Sequence, residues 1–317
     1  MGHNQPVNQV GDSLANNDLE VFVQVNWQAP WLKHLSCQQF MEQDNSLNGL
    51  SKQGNVRARL STWLEALASQ YLDKNDAQQT PFISGRGQSL TFVAQEDLPE
   101  GMAYETFIAE TGNVPTRDNL HDLFNGSIWL TFPKSKALLN RYQAKAIDSE
   151  GISGRRGRVR DTITVFDENG AILVTANPNI GEALTNFDWQ NCLVTPREEW
   201  DDGFLTQPYT PNPTAKAAVY IFGHALLEQL VAPRKPLCAH TLILAVESDF
   251  FTLSMTERMG YLDKRLSQKL DELLQDETVT PRALSPLPIL GVPHFWPDNA
   301  DPEFYNDTFV FRSGRRG

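Results

Sequence analysis

Cysteine is scarce: the 317 residues include three, Cys37, Cys192 and Cys238, odd in number and far apart. That pattern excludes a disulfide framework and a paired-cysteine zinc site. No apolar run approaches the roughly 18 to 20 residues that a membrane-spanning helix needs. The opening MGHNQPVNQVGDSLANNDLE has no apolar segment of the kind a signal peptide carries, and Pro6 stands where N-myristoylation needs Ser or Thr. Positive charge is short as well. The 27 Lys and Arg against 39 Asp and Glu leave a net charge of −12, which argues against gripping nucleic acid or anionic membrane with the whole surface. A Walker A loop, a Gly-x-Gly-x-x-Gly turn and a Gly-x-Ser-x-Gly elbow are all missing. The expectation is a soluble, cytoplasmic chain with no membrane partner.

What is present is enough for a core, with 40% apolar residues and 10% aromatics. Residues 1–18 read as a disordered polar tail, 19–312 as a single α+β domain with 19–100 as a candidate helical N-terminal subdomain, and 313–317 as a basic tail. Helical spacing of Val56, Leu60, Trp63, Leu64, Leu67 and Tyr71 predicts a helix over 55–72. SLTFVA, 89–94, suits a short strand. Two helices, 118–131 and 134–147, are separated by Pro133, which a helix tolerates in its first turn but not its interior. In DTITVFDENGAILVT, Ile163 and Val165 alternate with polar residues before Asn169-Gly170, and Ile172 and Val174 follow. That reads as a β-hairpin. A helix is expected at 215–231, a buried strand at 237–246, and a long helix to about 275 after the capping pair Ser254 and Glu257. The fold class is therefore α+β, mostly helical with an antiparallel β-hairpin and a small sheet.

Three polar clusters interrupt this patterning. PTRDNLHDLFN, 115–125, gathers Arg117, Asp118, Asn119, His121, Asp122 and Asn125 at a helix start. Asp118 can cap that helix, Leu120, Phe124 and Ile128 form its apolar stripe, and His121 with Asp122 offers an imidazole beside a carboxylate. In YIFGHALLEQL, Tyr220, His224 and Glu228 recur every four residues, so the His–Glu pair can place two ligands, or a base and its orienter, on one helix face. In GRRGRVRD, Arg155, Arg156, Arg158 and Arg160 sit in a Gly-flanked loop suited to phosphate or carboxylate. Each cluster has a structural alternative: a capped helix with a satisfied histidine, a local hydrogen bond, and a solvated loop. Asn169 and Gly170 are assigned to the hairpin turn, with Asp167 and Glu168 kept as weaker metal candidates. His240 reads as a core histidine. His121-Asp122 does not make an HD phosphohydrolase, which needs an earlier histidine on a neighbouring helix; none lies between His34 and His121.

VPTRDNLHDLFNGSIWLTFPKSKALLN, RGRVRDTITVFDENG, FGHALLEQL and LGVPHFWPDNADPEFYNDTFVFR together resemble a bacterial family catalogued as domain of unknown function 3025. The resemblance covers about 100–312. It implies a single domain and supplies no activity, cofactor or substrate. It matches Arg117, Asn119, His121, Asp122, Asn125, Arg160, Asp161, Asp167, Glu168, Asn169, His224 and Glu228, and so directs attention to polar positions.

The functional expectation is an enzyme, a hydrolase or transferase acting on a small anionic, phosphorylated or nucleotide-like substrate. His121 acts as acid or base oriented by Asp122, and His224 with Glu228 forms a second base or a metal pair. Arg117, Asn119, Asn125, Arg158 and Arg160 bind substrate. A divalent metal is the candidate cofactor, with His121, His224, Glu228 and Asp167 as candidate ligands. The alternative is a non-catalytic module that docks RNA or an acidic protein through the 154–160 arginines. A third reading gives the aromatic segment 294–311 an assembly role.

Overall fold

The computed structural model describes residues 22, 24–36, 60–74, 82–150, 157–206 and 209–315. The polar tail, residues 55–59, Cys37, Arg155 and Arg156 lie outside the described residues.

Helix α1 (Leu60–Lys74) buries Leu60, Leu64, Leu67 and Ala68. Strand β1 (Thr91–Ala94), helix α2 (Tyr104–Thr111) and strand β2 (Asn113–Thr116) form a small parallel unit, with Thr91 opposite Asn113. Gly112 ends α2 at φ +77° and lies against the Ser89 carbonyl, where a Cβ would clash. Helix α3 (Leu120–Thr131) is buried on nearly every face. Its Gly126 lets Leu64 of α1 approach to where a Cβ would sit. Helix α4 (Pro133–Glu150) begins on the proline, as the sequence predicts.

Helix α5 (Arg158–Asn169) leads directly into strand β3 (Gly170–Thr175). Then come helix α6 (Pro178–Thr185), strand β4 (Ala217–Ile221), helix α7 (His224–Gln229), strand β5 (Cys238–Ala245), helix α8 (Met255–Leu274) and strand β6 (Ser285–Pro288). The four strands form one mixed sheet in the order β4-β3-β5-β6. β3 runs antiparallel to β4 and parallel to β5, and β5 runs antiparallel to β6. β3 is buried at all six positions, which suits its uninterrupted apolar run. Buried apolar residues from Phe22 to Phe311 join helices and sheet in one hydrophobic cluster. The α+β class stands, and no helix among the described residues is long and apolar enough to cross a membrane.

Two sequence expectations are overturned. The hairpin expected over 161–175 is the end of a helix followed by a strand. Thr162, Ile163 and Phe166 are buried at helical spacing, so the alternation of Ile163 with Val165 competes with a 3.6-residue period that wins. Gly170 sits at φ −76°, not the positive φ a tight Asn-Gly hairpin turn requires. The helix expected at 215–231 splits: residues 217–221 form a fully buried strand, and Gly223 separates it from the short α7. The Ser254–Glu257 capping box does open α8, with both reciprocal hydrogen bonds formed.

Candidate functional site

The start of α3 is fixed by its own polar residues. Asn119 is the N-cap, its side chain accepting from the Asp122 amide at 2.8 Å. The Asp122 carboxylate accepts in turn from the Arg117 amide (2.6 Å), Nε (3.0 Å) and Nη2 (2.9 Å). Asp118, expected at this cap, instead accepts from the amide of Leu60, 2.7 Å away, the first described residue of α1. Asp122 is therefore turned toward Arg117 and does not orient His121. This lock leaves His121 on the second position of α3 with a side chain 31% exposed.

His121 meets α7 instead. Its Nδ1 lies 3.0 Å from Glu228 Oε2, and its Nε2 lies 3.0 Å from His224 Nε2. The two rings meet edge to face at 83°, with centroids 4.4 Å apart. The i,i+4 spacing read from the sequence puts His224 and Glu228 on one face of α7, and that face is the one applied to His121. Tyr220 does not share it. On β4, its hydroxyl accepts from Arg258 Nη1 at 3.1 Å.

A glycine crossing brings the end of α5 to the same place. A Cβ on Gly223 would stand 2.4 to 2.6 Å from Gly170 N, the Glu168 carbonyl and Asn169 Cα. Only glycine lets the α5–β3 and β4–α7 junctions touch, and the amides of Phe222 and Gly223 both donate to the Gly170 carbonyl there. Glu168 Oε2 consequently lies 3.4 Å from His224 Nε2, and Asp167 Oδ2 lies 4.0 Å from His224 Nδ1. Donor atoms of His121, Glu168 and His224 all fall within 4.8 Å of one another, a grouping able to hold a metal ion.

Behind the histidines lies a buried network. Lys136 Nζ donates to both oxygens of Asp167, at 2.7 and 3.0 Å, and to Asn125 Oδ1 at 3.0 Å; Asn125 donates to the Tyr104 hydroxyl at 3.1 Å. Burial alone would raise the Asp167 carboxyl, but the Lys136 ammonium, with His224 and His121 beyond it, holds it below the usual carboxylate range. Burial lowers His224 to about 4, against the opposing pull of Asp167, so this imidazole is neutral near pH 7. Burial, and then the Glu105 and Asp122 carboxylates, keep the Tyr104 hydroxyl protonated well beyond its ordinary range.

The structure thus brings His121, His224 and Glu228 together, with Asn125 one step behind. Asn119 is a helix cap, and Arg117 is tied to Asp122 with its side chain 56% exposed. Asp167 serves the Lys136 pair, and Glu168 takes the place beside the histidines. Arg158 and Arg160 lie on the first turn of α5 and not in a loop, roughly 15 and 12 Å along the helix from Glu168. Sequence reasoning missed Lys136 and Tyr104, and gave Glu168 little weight because the FDENG acids read as turn residues. Two clefts of about 420 and 480 Å³ share no lining residue with the centre. Convergence of side chains marks this site, not cleft size.

No curated protein and no solved structure matches the chain. A family model described as "Protein of unknown function (DUF3025)" matches residues 90–315, and the chain belongs to that family.

Proposed function

We propose that the protein is a hydrolase or transferase acting on a small anionic substrate, such as a phosphate ester, at the centre formed by His121, His224, Glu168 and Glu228. The single observation that supports this reading is the convergence of two imidazole Nε2 atoms at 3.0 Å from positions 103 residues apart in the chain, with a carboxylate at 3.4 Å. Buried His34 is satisfied by a backbone carbonyl; here ring nitrogens and carboxylates crowd one partly exposed point, where water or a substrate oxygen can be deprotonated. Glu228 takes the role of orienting His121 that the sequence assigns to Asp122. Arg117, fixed by Asp122 and close enough to Glu228 to interact with it electrostatically, favours an anionic group.

The test is turnover of a panel of phosphate monoesters, diesters and nucleotides by the full chain. His121→Ala and His224→Ala are expected to lower kcat/KM at least about 100-fold, as removal of acid–base or ligand groups does, with far-UV circular dichroism unchanged. Turnover unaffected by both substitutions, or no turnover of any panel member by the wild type, defeats the reading.

A further inference from the structure

We propose that His121 Nε2, His224 Nε2 and a Glu168 carboxylate oxygen bind one divalent transition-metal ion of the zinc class. The inference deepens the hydrolase reading by naming the group that activates water, and it rests on that reading only for its catalytic consequence.

Geometry is the first support. Two ligand atoms at about 2.05 Å from a tetrahedral ion stand about 3.3 Å from each other. The Nε2–Nε2 separation is 3.0 Å and the His224 Nε2 to Glu168 Oε2 separation is 3.4 Å, two edges of such a tetrahedron. The third edge lies within 4.8 Å, and the Glu168 side chain, 36% exposed, has room to close it. His121 is also partly exposed, so the fourth position opens to solvent, as in a catalytic and not a structural site.

The surroundings of the two rings are the second support. A ligating histidine ordinarily presents its other nitrogen to a carboxylate or carbonyl. An ion held on Nε2 of each ring leaves Nδ1 of that ring to face its surroundings. His121 Nδ1 lies 3.0 Å from Glu228 Oε2, and His224 Nδ1 lies 4.0 Å from Asp167 Oδ2. Both rings thus have an acid on the side away from the ion.

Charge is the third. Asp167, Glu168 and Glu228 bring three carboxylates to the centre, Lys136 returns one positive charge, and the Arg117 guanidinium is matched by Asp122. The remaining excess of two negative charges repels an anionic substrate, and one divalent cation cancels it. Imidazole donors favour zinc, cobalt, nickel or iron over magnesium or calcium. With the ion in place, His121 and His224 are ligands, and the proton lost from water comes from the ion-bound molecule.

The test is metal content by plasma mass spectrometry after purification without chelator, followed by stripping and titration of the full chain with Zn(II) and Co(II). The expected result is one ion per chain and the visible absorption of four- or five-coordinate Co(II). His121→Ala, His224→Ala and Glu168→Gln should each weaken binding at least about 100-fold, Glu228→Gln about 10-fold as an outer partner, and Arg158→Ala not at all. No Zn(II) or Co(II) bound by a folded wild type, or Glu168→Gln binding like wild type, overturns the site. Turnover that survives complete stripping overturns the ion's part in catalysis and leaves the hydrolase reading standing. One bound ion without turnover of any panel substrate does the reverse.

Discussion

Two polar clusters in this protein each join separate elements of the chain and end up differently. In one, Arg258 of α8, fully buried, gives Nη1 to Asp201 and to the Tyr220 hydroxyl and Nη2 to the Phe251 carbonyl, with the rings of Tyr209, Phe250 and Phe251 within 5.2 to 5.4 Å of its guanidinium. In the other, His121, Glu168 and Glu228 are partly open to solvent, His224 is buried behind them, and the two rings direct like atoms at one another. A sealed cation whose two Nη atoms meet a carboxylate, a hydroxyl and a carbonyl holds its neighbouring elements together. Two imidazole nitrogens facing each other leave at least one lone pair for a proton or an ion. His34 makes the point within a single residue type. It is buried, donates Nε2–H to the Ile221 carbonyl at 2.7 Å, and packs against Phe132 and Tyr220.

The sealed cluster should give the largest stability effect. Arg258→Ala leaves Asp201 buried and unpaired and is expected to cost about 3 to 5 kcal/mol in urea unfolding. Arg258→Met combined with Asp201→Leu should cost less than the single change; if it costs more, the pair is net stabilising and the comparison needs redrawing. His34 supplies the next effect. Burial lowers its pKa from 6.5 to about 4, partly offset by the Ile221 hydrogen bond. The unfolded imidazole binds a proton below pH 6.5 and the folded one resists until about pH 4, so stability is intact above pH 6.5 and falls through that window, by about 3 kcal/mol. His34→Gln should remove that portion of the pH dependence, measured as the difference between wild-type and variant unfolding curves at pH 7 and pH 4.5.

Gly223→Ala tests the crossing that assembles the open cluster. The added Cβ meets backbone at 2.4 to 2.6 Å, so a loss of about 1 to 3 kcal/mol is expected. Glu168 should also move away from His224, with a fall in Zn(II) affinity larger than that of a core substitution of equal stability cost such as Ile163→Val. Smallest in stability is His121→Ala, expected within about 1 kcal/mol because the ring is partly exposed. A large loss of stability there would make His121 a structural residue like His34.

Much of this was legible along the chain. Pro133 marked the break between α3 and α4, the Ser254–Glu257 box marked the start of α8, and the i,i+4 pair of His224 and Glu228 lies on one face of α7. Over 161–175 the sequence predicts a hairpin because Ile163, Val165 and Asn169-Gly170 satisfy a strand-and-turn pattern, while Val159, Thr162, Ile163 and Phe166 satisfy the helical one that forms. Local sequence does not choose between two periods; the packing of Phe166 against Phe222 favours the helix. The difference decides the place of Glu168, since an acid on a hairpin tip projects into solvent, whereas one at the end of this helix is brought beside His224.

By itself, then, the sequence determined the class of fold, the polar residues that interrupt its apolar patterning, and the local caps and spacings, because these depend on neighbours within a few residues. Which acid serves which histidine was decided only in three dimensions. Asp122, adjacent to His121 in the chain, is captured by Arg117, while Glu228 and His224, more than 100 residues away, reach it because α7 packs on α3, and two glycines that let the β3 and β4 junctions touch add Glu168. A hydrogen bond needs atoms within about 3 Å, and at that scale chain neighbours often point apart while the folded core fixes the partners.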